Sequence, residues 1–529
     1  MRHFHSYGPV DSEEHYCVQR KELIQRCTDQ LVGKPDKGGH FFTIWAPRQT
    51  GKTWLMRQVK QEIAARFPEC FIIGTMSVQG VVFKDEEADD RFLDNVPILM
   101  WETFKIKNLP VPADWKSFKN LFSKDNNMFG KPLILFIDEF DSLPPKVIDR
   151  LVTLFRDIYL KREHYLLHGL ALIGVRAVLG VESLRGSPFN IQRSLHVPNL
   201  TREEVEDMFN QYQEESGQKI EPEVVKSLYD STRGQPGLVG WFGELLTETF
   251  NPEKDKIIDS GTWDYVYMRS CTTEWNNTVL NLIRKAKGEY RDRILELFGN
   301  AEVPFSLDTD WCNYAYLHGI IDHETYTEPD GRKKQICRFA SPFVQLRIYN
   351  ALTQELVGHR TPILPLDPLD DLADVFDPPE LNVPALIQRY RDYLKRLKAK
   401  GLNPWKDQPR RTDLHLTEYV GHFHLYSWLQ YATDGQCAVS PEFPTGNGRV
   451  DLHLKCGLRR GIIEVKSFTS HSKAANARIQ AARYAALLNL NAVTLVLFIP
   501  VEDETVLKKL SDMQEIDGVK VTVEAIGWV

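Results

Sequence analysis

The first 200 residues alternate short apolar runs with amphipathic stretches. The run 41–45 precedes a segment in which Leu55, Val59 and Ile63 lie four residues apart, a spacing that predicts a strand, a turn and a helix. Further apolar runs at 70–74, 133–137 and 170–175 are separated by helical or polar stretches. Strands that alternate with helices indicate a parallel sheet covered on both faces. The sequence therefore predicts an α/β core over residues 1–200.

From residue 201 the pattern becomes mainly helical. Thr201 and Glu204 have the spacing of a capping box, which indicates a helix start. Two apolar runs, 319–322 and 335–339, flank a polar turn and predict a hairpin among helices. We therefore expect a helical segment at residues 201–265, which the resemblance described below implies is a lid, and then a small helical domain with a β-wing, a winged helix, at residues 266–357.

A proline-rich and aspartate-rich segment separates these domains from the rest of the chain. Residues 358–380 hold five prolines and five aspartates, a composition that predicts an extended linker. Residues 381–529 mix helical patterns with alternating strands. The overall prediction is a multidomain α/β protein whose last domain spans 381–529.

The charge balance is uneven along the chain. The 529 residues include 65 Lys+Arg and 72 Asp+Glu, a net charge of -7, which argues against a general nucleic-acid-binding surface. Between residues 389 and 411, however, nine basic residues stand against two aspartates, and nine minus two gives a local charge of +7. This stretch is either a solvated helix face or a contact for a phosphate backbone.

Cysteine usage and hydropathy indicate the environment of the protein. The eight cysteines are scattered, without a CxxC pair or a zinc-type Cys/His spacing, so the sequence predicts reduced thiols rather than a zinc site or a disulfide framework. Apolar runs stay short of the roughly 18 to 20 residues that cross a bilayer, and the first residues lack the apolar region of a signal peptide. We therefore expect a cytoplasmic protein with no membrane association.

A phosphate-binding loop is predicted after the first strand. The segment 46–53 matches GxxxxGK[ST] except that Ala46 replaces the first glycine. Such a loop surrounds phosphates with backbone N–H groups at a helix N-terminus, and its lysine and hydroxyl contact the β/γ-phosphates and Mg²⁺. This pattern assigns nucleotide binding to Ala46, Arg48, Gln49, Thr50, Gly51, Lys52 and Thr53.

Two adjacent carboxylates follow the apolar run 133–137. Asp138 is placed beside the Mg²⁺ that Thr53 also binds, and Glu139 where it can orient or deprotonate an attacking water. With the phosphate loop about 85 residues upstream, the two motifs together indicate ATP binding and hydrolysis.

The two motifs resemble those of AAA-like P-loop ATPases of the STAND and archaeal type. Arg20 upstream and the motif Gly234-Gln235-Pro236 extend the resemblance, which implies an ATP-driven switch with Pro236 at the nucleotide and a winged-helix domain after the lid. The sensor position after 170–175 departs from the family pattern and is followed by Arg176. Arg176 could contact a γ-phosphate within the protomer or across a homo-oligomer interface, or it could cap the strand.

A second group of charged residues lies near the C-terminus. Asp451 lies on an alternating strand, and a turn leads to a second strand with Glu464 and Lys466 on one face. Pairing of the strands would bring Asp451 beside them. The two carboxylates are expected to bind Mg²⁺ or Mn²⁺, and Lys466 to steady an attacking water or the charge that develops on phosphorus.

This spacing resembles the PD-(D/E)XK nuclease superfamily, whose fold is like that of restriction endonucleases. Glu418, on a preceding helix, corresponds to a further metal-binding acid of that superfamily, and Gln480 and Tyr484 correspond to its Gln-xxx-Tyr element. The resemblance implies catalytic roles for Asp451, Glu464 and Lys466.

Together these features predict an ATP-regulated, metal-dependent nuclease with ATP and Mg²⁺ or Mn²⁺ as cofactors. DNA is favoured over RNA as the substrate, and the resemblance to a recurrent prokaryotic fusion implies a role in defence or mobile-element biology. The alternative is a nucleotide-dependent switch or scaffold that binds nucleic acid through a non-catalytic nuclease-like domain.

Overall fold

The structure is a computed structural model that describes residues 1–35, 37–81, 88–126, 128–174, 194–299, 303–327, 331–357, 364–378, 380–406, 408, 418–433, 436–444, 449–457, 459–468 and 470–528. The chain divides into two compact units, residues 1–278 with 314–319, and residues 279–313 with 320–529. The segment predicted as a winged helix, 266–357, is thus shared between the two units.

The first unit contains a core of alternating strands and helices, followed by helices alone. Its core elements are α1 (Lys21–Val32), β1 (Phe41–Trp45), α2 (Lys52–Arg66), β2 (Ile72–Ser77), α3 (Ala88–Phe104), α4 (Trp115–Asn120), β3 (Leu133–Asp138), α5 (Pro145–Leu160), β4 (Leu167–Gly174) and β5 (Leu195–His196). Short 3₁₀ turns lie at Phe140–Ser142 and Arg162–His164. The helices that follow are α6 (Arg202–Ser216), α7 (Pro222–Thr232), α8 (Pro236–Glu244), which continues into a π-helical turn at Leu245–Thr249, and α9 (Ser260–Thr272).

The five strands form one parallel sheet in the order β2-β3-β4-β1-β5, as the alternating pattern predicts. Side chains alternate between the two faces of a strand, so Leu133, Leu135 and Ile137 of β3 pack with α3 and α5, whereas Ile134 and Phe136 pack with α1 and α2. Apolar residues thus cover both faces of the sheet. The carboxyl ends of β1 and β3 lie at one edge, where the two predicted nucleotide-binding motifs begin.

The helix start at residue 201 is confirmed. The Thr201 hydroxyl accepts the Glu204 N–H at 3.2 Å, and the Glu204 carboxylate accepts the Thr201 N–H at 2.9 Å, which completes a capping box for α6.

Helices and one hairpin follow. They are α10 (Asn277–Ala286), α11 (Arg291–Gly299), α12 (Asp310–Leu317), β6 (Ile321–Thr327), β7 (Lys333–Phe339) and α13 (Pro342–Val357). Strands β6 and β7 pair antiparallel, so the predicted hairpin is present.

The second unit is built on a mixed sheet. Its elements after the hairpin are α14 (Ala373–Phe376), α15 (Val383–Ala399), α16 (Glu418–Ala432), β8 (Ala438–Pro444), β9 (Arg449–Cys456), β10 (Arg459–Ser467), α17 (His471–Leu487), β11 (Ala492–Ile499), α18 (Glu504–Leu510), β12 (Met513–Ile516) and β13 (Val519–Gly527). The strand order is β12-β13-β11-β10-β9-β8, with β10, β11 and β13 parallel. Alanines of α17, including Ala481 and Ala485, pack on Ile462 and Val493 of this sheet.

The predicted linker is more ordered than its composition indicates. Within 358–380, α14 forms a helix, and the Arg389 guanidinium of α15 binds the carboxylates of Asp370 and Asp374 at 2.8 and 2.7 Å. Prolines and aspartates favour an extended chain locally, but two ion pairs to one arginine dock this part of the segment on α15.

The prediction of reduced thiols is wrong for one cysteine pair. Cys437 and Cys456 form a disulfide with a Cα–Cα distance of 4.2 Å. Cys437 directly precedes β8 and Cys456 ends β9, and these strands pair antiparallel with Ala438 opposite Lys455. Strand pairing therefore brings together two thiols that are 19 residues apart, a closeness that spacing alone does not reveal.

None of the helices in the described part of the chain combines the length and apolarity that a bilayer crossing requires.

Candidate functional site

The predicted phosphate loop connects β1 to the N-terminus of α2. Gly51, the residue before the helix, has φ of 86°, and Gln49 has φ of 57°. These left-handed conformations let the loop turn tightly before its N–H groups enter the first helical turn. Thr50 is buried, and its hydroxyl donates to the Pro47 carbonyl at 2.9 Å. The loop thus has a defined conformation at a helix N-terminus, where anions bind favourably.

Lys52 points back into this loop. Its ammonium donates to the carbonyl oxygens of Ala46 and Pro47 at 2.8 and 2.7 Å. Burial lowers the pKa of Lys52 from 10.5 to about 8, although the carboxylates of Glu139 and Asp141 oppose that change. Because the hydrogen-bond partners of this ammonium are neutral carbonyls, its positive charge would be stabilised strongly by a bound anion such as a phosphate.

The two predicted carboxylates lie beside Thr53. The Thr53 hydroxyl donates to Asp138 Oδ2 at 3.4 Å, and the Glu139 N–H donates to Asp138 Oδ1 at 2.9 Å. Burial raises the pKa of both Asp138 and Glu139, and their mutual repulsion raises that of Glu139 further. A divalent cation would relieve this cost, so the oxygen donors of Thr53 and Asp138 fit Mg²⁺.

The motif at the start of α8 contacts the phosphate loop directly. The Gln235 side-chain amide donates to the carbonyls of Arg48 and Gln49, both at 3.2 Å, and the Gly237 N–H donates to the Gln49 carbonyl at 3.1 Å. Pro236 is the first residue of α8. The sequence assigned Pro236 but missed Gln235, although the middle position of Gly-Gln-Pro carried the signal.

The sequence singles out two arginines outside the phosphate loop, and the structure describes Arg20 but not Arg176. Arg20 donates to the carbonyls of Pro198 and Asn199 and pairs with Glu204, so it fastens the start of the chain to the beginning of α6. Arg176 lies outside the described residues, and its role stays a prediction.

The C-terminal charged residues come together as the sequence predicts. Lys466 Nζ lies 2.9 Å from Glu418 Oε1, 3.3 Å from Asp451 Oδ2 and 3.7 Å from Glu464 Oε2. The antiparallel pairing of β9 with β10 brings Asp451 to Glu464, and Glu418 is the first residue of α16. We call Glu418, Asp451, Glu464 and Lys466 the carboxylate centre.

The electrostatics of the carboxylate centre favour a cation. Burial raises the pKa of Glu464 well above its ordinary value, and Asp451 raises it further; burial also raises the pKa of Glu418. Burial alone would lower the pKa of Lys466, but the three carboxylates outweigh it and hold that pKa well above its usual range. When all groups are ionised, three carboxylates face one ammonium, which leaves two negative charges without compensation.

One carboxylate oxygen in this centre lacks a partner. Glu464 is 1% exposed, and its Oε1 has no hydrogen-bond partner among the described residues. Asp451 Oδ2, in contrast, accepts the Val465 N–H at 2.7 Å. Since a buried, unsatisfied carboxylate oxygen is costly, the donor set fits a hard divalent cation bound by Asp451 and Glu464, with Glu418 close by.

Gln480 and Tyr484 form a hydrogen-bonded pair on α17. The Gln480 amide donates to the Tyr484 hydroxyl at 2.7 Å. Burial raises the pKa of Tyr484, the hydrogen bond from Gln480 lowers it, and the charge of Glu464 raises it.

A buried histidine behind Asp451 was missed by the sequence. His422 Nε2 lies 2.8 Å from the Asp451 backbone carbonyl oxygen, and His422 Nδ1 lies 2.9 Å from the Tyr349 hydroxyl. Burial lowers the pKa of His422, so its ring is neutral near pH 7. His422 is 29 residues from Asp451 and 73 residues from Tyr349 along the chain, so no local sequence pattern indicates these two hydrogen bonds.

The basic stretch at 389–411 is largely paired within the second unit. Besides Arg389, Arg391 pairs with Glu524 at 2.7 Å, Lys395 pairs with Glu504 at 2.8 Å, and Lys398 pairs with Glu502. Four of the basic side chains thus have carboxylate partners within the unit, and the choice between a solvated helix face and a contact for a phosphate backbone stays a prediction. Residues 409–411 lie outside the described residues.

Three histidines also gather near the start of the chain. His3, His5 and His15 offer ring nitrogens within 4.8 Å of one another. The His5 and His15 rings are stacked, with centroids 3.9 Å apart, and the Asp11 N–H donates to His15 Nδ1 at 2.8 Å. A metal lies near the plane of each imidazole that binds it, whereas stacked planes share no such point, and the lone pair of the neutral His15 ring is already used. This arrangement is one of packed histidines rather than metal ligands.

Comparison with known proteins agrees with the fold of the first unit. Residues 5–268 match the family model described as an AAA-like domain. They therefore form an AAA-like P-loop ATPase domain, a fold that implies nucleotide binding, typically with Mg²⁺. The matched residues end well before the carboxylate centre. No curated protein matched the chain.

The solved structures that match this chain are distant from it in sequence. The Walker-type ATPase PABY2304 of Pyrococcus abyssi is 13% identical with a TM-score of 0.41, and the match covers 65% of this chain and 98% of that one. The Aeropyrum pernix ORC1 protein, solved in complex with DNA, is 16% identical with a TM-score of 0.35, covering 64% and 92%. The RuvB Holliday junction branch migration motor of Thermotoga maritima is 14% identical with a TM-score of 0.33, covering 61% and 92%.

Proposed function

We propose that this protein is an ATP-regulated, metal-dependent nuclease. In this proposal the AAA-like domain of residues 5–268 binds and hydrolyses ATP, and the carboxylate centre hydrolyses phosphodiester bonds, with DNA as the favoured substrate. The observation that carries the proposal is the carboxylate centre itself, in which three acids surround one half-buried lysine and an oxygen of Glu464 has no partner among the described residues.

Asp451 and Glu464 would hold the cation, and Glu418 would complete or adjust its oxygen donors. A bound Mg²⁺ or Mn²⁺ supplies a hydroxide at neutral pH and polarises a phosphoryl oxygen. The excess of negative charge in the centre supports this assignment, because a buried acid, Glu464, beside two half-buried ones is costly without a counter-ion.

Lys466 is assigned to the reacting phosphate. Its ammonium is held beside both metal-binding acids, and those acids keep it protonated at neutral pH. From this position it can orient the attacking water or stabilise the negative charge that develops on the phosphate oxygens. The positive charge of Lys466, which the neighbouring acids maintain, is thus part of its proposed catalytic role.

The order of elements around the centre supports the nuclease assignment. A helix carrying Glu418 is followed by three antiparallel strands, a helix and a strand parallel to β10, in the order α16-β8-β9-β10-α17-β11. This order resembles the core of the PD-(D/E)XK superfamily. Gln480 and Tyr484 lie on α17, as its Gln-xxx-Tyr element requires.

In the AAA-like domain, Lys52 is assigned to the β/γ-phosphates of ATP, and Thr53 and Asp138 to Mg²⁺. Glu139 would orient or deprotonate the attacking water. Because Gln235 and Gly237 hold the phosphate loop through backbone carbonyls, occupation of the loop would be transmitted to α8. This contact supports a nucleotide-dependent change in the lid.

The alternative is a nucleotide-dependent scaffold that binds nucleic acid without cleaving it. The internal pairing of Arg389, Arg391, Lys395 and Lys398 weakens the case for the basic stretch as its binding surface. The cost of clustering three acids around the buried Glu464 also favours a catalytic centre over a passive one.

A cleavage assay tests the proposal. Single- and double-stranded DNA and RNA are incubated with the full chain and Mg²⁺ or Mn²⁺, with and without ATP. Lys466→Ala should abolish cleavage and leave ATP turnover intact, whereas Lys473→Ala, an exposed lysine on α17, should cleave as wild type does.

Two results would decide against the nuclease. Cleavage that persists when Asp451→Ala and Glu464→Ala are combined would reject the assigned centre. Binding that falls steeply with salt, without metal-dependent cleavage of any substrate, would favour the scaffold.

A further inference from the structure

We propose that Tyr349 and His422 form a positioning pair that holds Asp451 in place for cation binding. Because Tyr349 lies on α13, cation binding at the carboxylate centre would then depend on the position of α13. This inference rests on the proposed metal-dependent function and adds a residue pair to which neither the sequence nor the comparisons assign a role. Tyr349 lies on α13, which follows the hairpin, and His422 lies on α16.

The direction of both hydrogen bonds follows from chemistry. The Asp451 backbone carbonyl can only accept, so His422 Nε2 carries the proton and donates across 2.8 Å. In a neutral ring Nδ1 then has the lone pair, and the Tyr349 hydroxyl donates to it across 2.9 Å. The Asp451 carbonyl therefore sets the neutral tautomer of His422, and the Tyr349 hydroxyl satisfies the ring nitrogen that this tautomer leaves without a proton.

Among the described residues, His422 contacts Asp451 one position beyond the last pair that β9 makes with β10. In the β8–β9 register Leu452 pairs with Pro441 and Val450 with Phe443, and in the β9–β10 register the pairs end at Leu452 with Ile463. The Asp451 side chain instead accepts the Val465 N–H. The hydrogen bond from His422 to the backbone and those from the Val465 N–H and the Lys466 ammonium to the side chain thus fix the carboxylate from two directions.

Groups that orient a metal ligand without touching the metal affect its affinity. Replacing such a group typically weakens metal binding about 10- to 100-fold. Loss of the Tyr349 hydroxyl removes one of the two hydrogen bonds that orient the His422 ring and leaves its buried Nδ1 without a donor, which weakens the hold of His422 on Asp451. A shift of α13 that separates the hydroxyl from Nδ1 would have the same effect.

A second buried pair provides a matched control. The Tyr390 hydroxyl lies 2.7 Å from His424 Nδ1, and both residues are buried, with His424 two positions further along α16. Tyr390→Phe removes the same chemical group from a similar environment. Within the described residues, no hydrogen bond joins His424 to the carboxylate centre.

The test is a calorimetric titration of the nucleotide-free full chain with Mn²⁺, with the combined Asp451→Ala, Glu464→Ala variant defining the heat of other sites. Tyr349→Phe should weaken Mn²⁺ binding at the centre about 10-fold, and Tyr390→Phe should leave it near the wild-type value. His422→Gln retains an N–H that can donate to Asp451, and Tyr349→Phe added to it should cause no further loss.

The outcomes separate this inference from the proposed function. Equal Mn²⁺ affinities of Tyr349→Phe and Tyr390→Phe would overturn the positioning pair, as would a full effect of Tyr349→Phe in the His422→Gln background. If the wild-type centre binds Mn²⁺ and Tyr349→Phe weakens it, yet no nucleic acid is cleaved, the positioning pair stands and the nuclease assignment fails.

Discussion

We predict that Lys52 lowers the stability of the protein when no nucleotide is bound, although the same residue is proposed to bind the phosphates of ATP. Its ammonium is buried in the phosphate loop, and its neighbours in hydrogen bonds are the neutral carbonyls of Ala46 and Pro47. The perturbation is Lys52→Met, which keeps an unbranched apolar chain and removes the charge. We expect this variant to be more stable than wild type without nucleotide and to gain no stability from MgATP.

The magnitude follows from the pKa. Burial lowers the pKa of Lys52 from 10.5 to about 8, and each pKa unit corresponds to about 1.4 kcal/mol, so the charged form costs about 3 kcal/mol at pH 7. Loss of the two hydrogen bonds to carbonyls offsets part of this gain, since each contributes about 1 kcal/mol. The net stabilisation of Lys52→Met is therefore expected to be about 1 to 3 kcal/mol.

The assay is thermal unfolding of the full chain. The transition that MgATP shifts in the wild type is assigned to the AAA-like domain, and in Lys52→Met without nucleotide it should rise by roughly 2 to 12 °C, at roughly 2 to 4 °C per kcal/mol. Lys60→Met, an exposed lysine on the same helix, is the control and should change little.

The pH dependence supplies a second check with a defined sign. Between about pH 8 and pH 10.5 the unfolded chain keeps a proton on Lys52 that the folded chain has lost, so wild-type stability should rise with pH across this window. The advantage of Lys52→Met should be complete at pH 7 and shrink toward pH 10. A variant that is less stable than wild type at pH 7, or whose advantage does not change with pH, would refute the reasoning.

Three further predictions concern other groups. Glu139→Gln should lower ATP turnover about 100-fold or more and preserve calorimetric MgATP binding, because an amide cannot accept the proton of water; wild-type turnover would assign that role elsewhere. Gln235→Ala removes the amide that holds the Arg48 carbonyl and should reduce the ATP-dependent hydrogen-exchange protection of α8, whereas unchanged protection would contradict the coupling. Reduction of Cys437–Cys456 should destabilise the second unit by about 3 kcal/mol, as expected for a loop of this size; the same loss on treating Cys437→Ser with reductant would contradict this origin.

Local patterns determined much of the fold. The alternating strands and helices of the first unit, the capping box at Thr201 and the hairpin before α13 each depend on residues close together in sequence, and each is present in the structure. The phosphate loop and the carboxylates after β3 meet because the carboxyl ends of parallel strands share one edge of a sheet. That rule needs only the order of the elements.

The linker and the basic stretch show where local composition is insufficient. Prolines and aspartates indicate an extended chain, and clustered lysines and arginines indicate an open positive surface. Arg389 joins the two segments through Asp370 and Asp374, which orders the first and neutralises part of the second. Composition counts charges, but it does not identify the partner of each charge.

By itself the sequence determined the chemistry of the candidate sites: a phosphate loop with Lys52, paired acids after β3, and the group formed by Asp451, Glu464 and Lys466. Only the tertiary structure decided that Gln235 holds the phosphate loop, that Cys437 meets Cys456, and that Tyr349 and His422 stand behind Asp451. The physical reason is range. Strand and helix periodicity and motif chemistry act over a few residues, whereas a buried hydrogen bond depends on which elements pack together, and that packing follows from the whole chain.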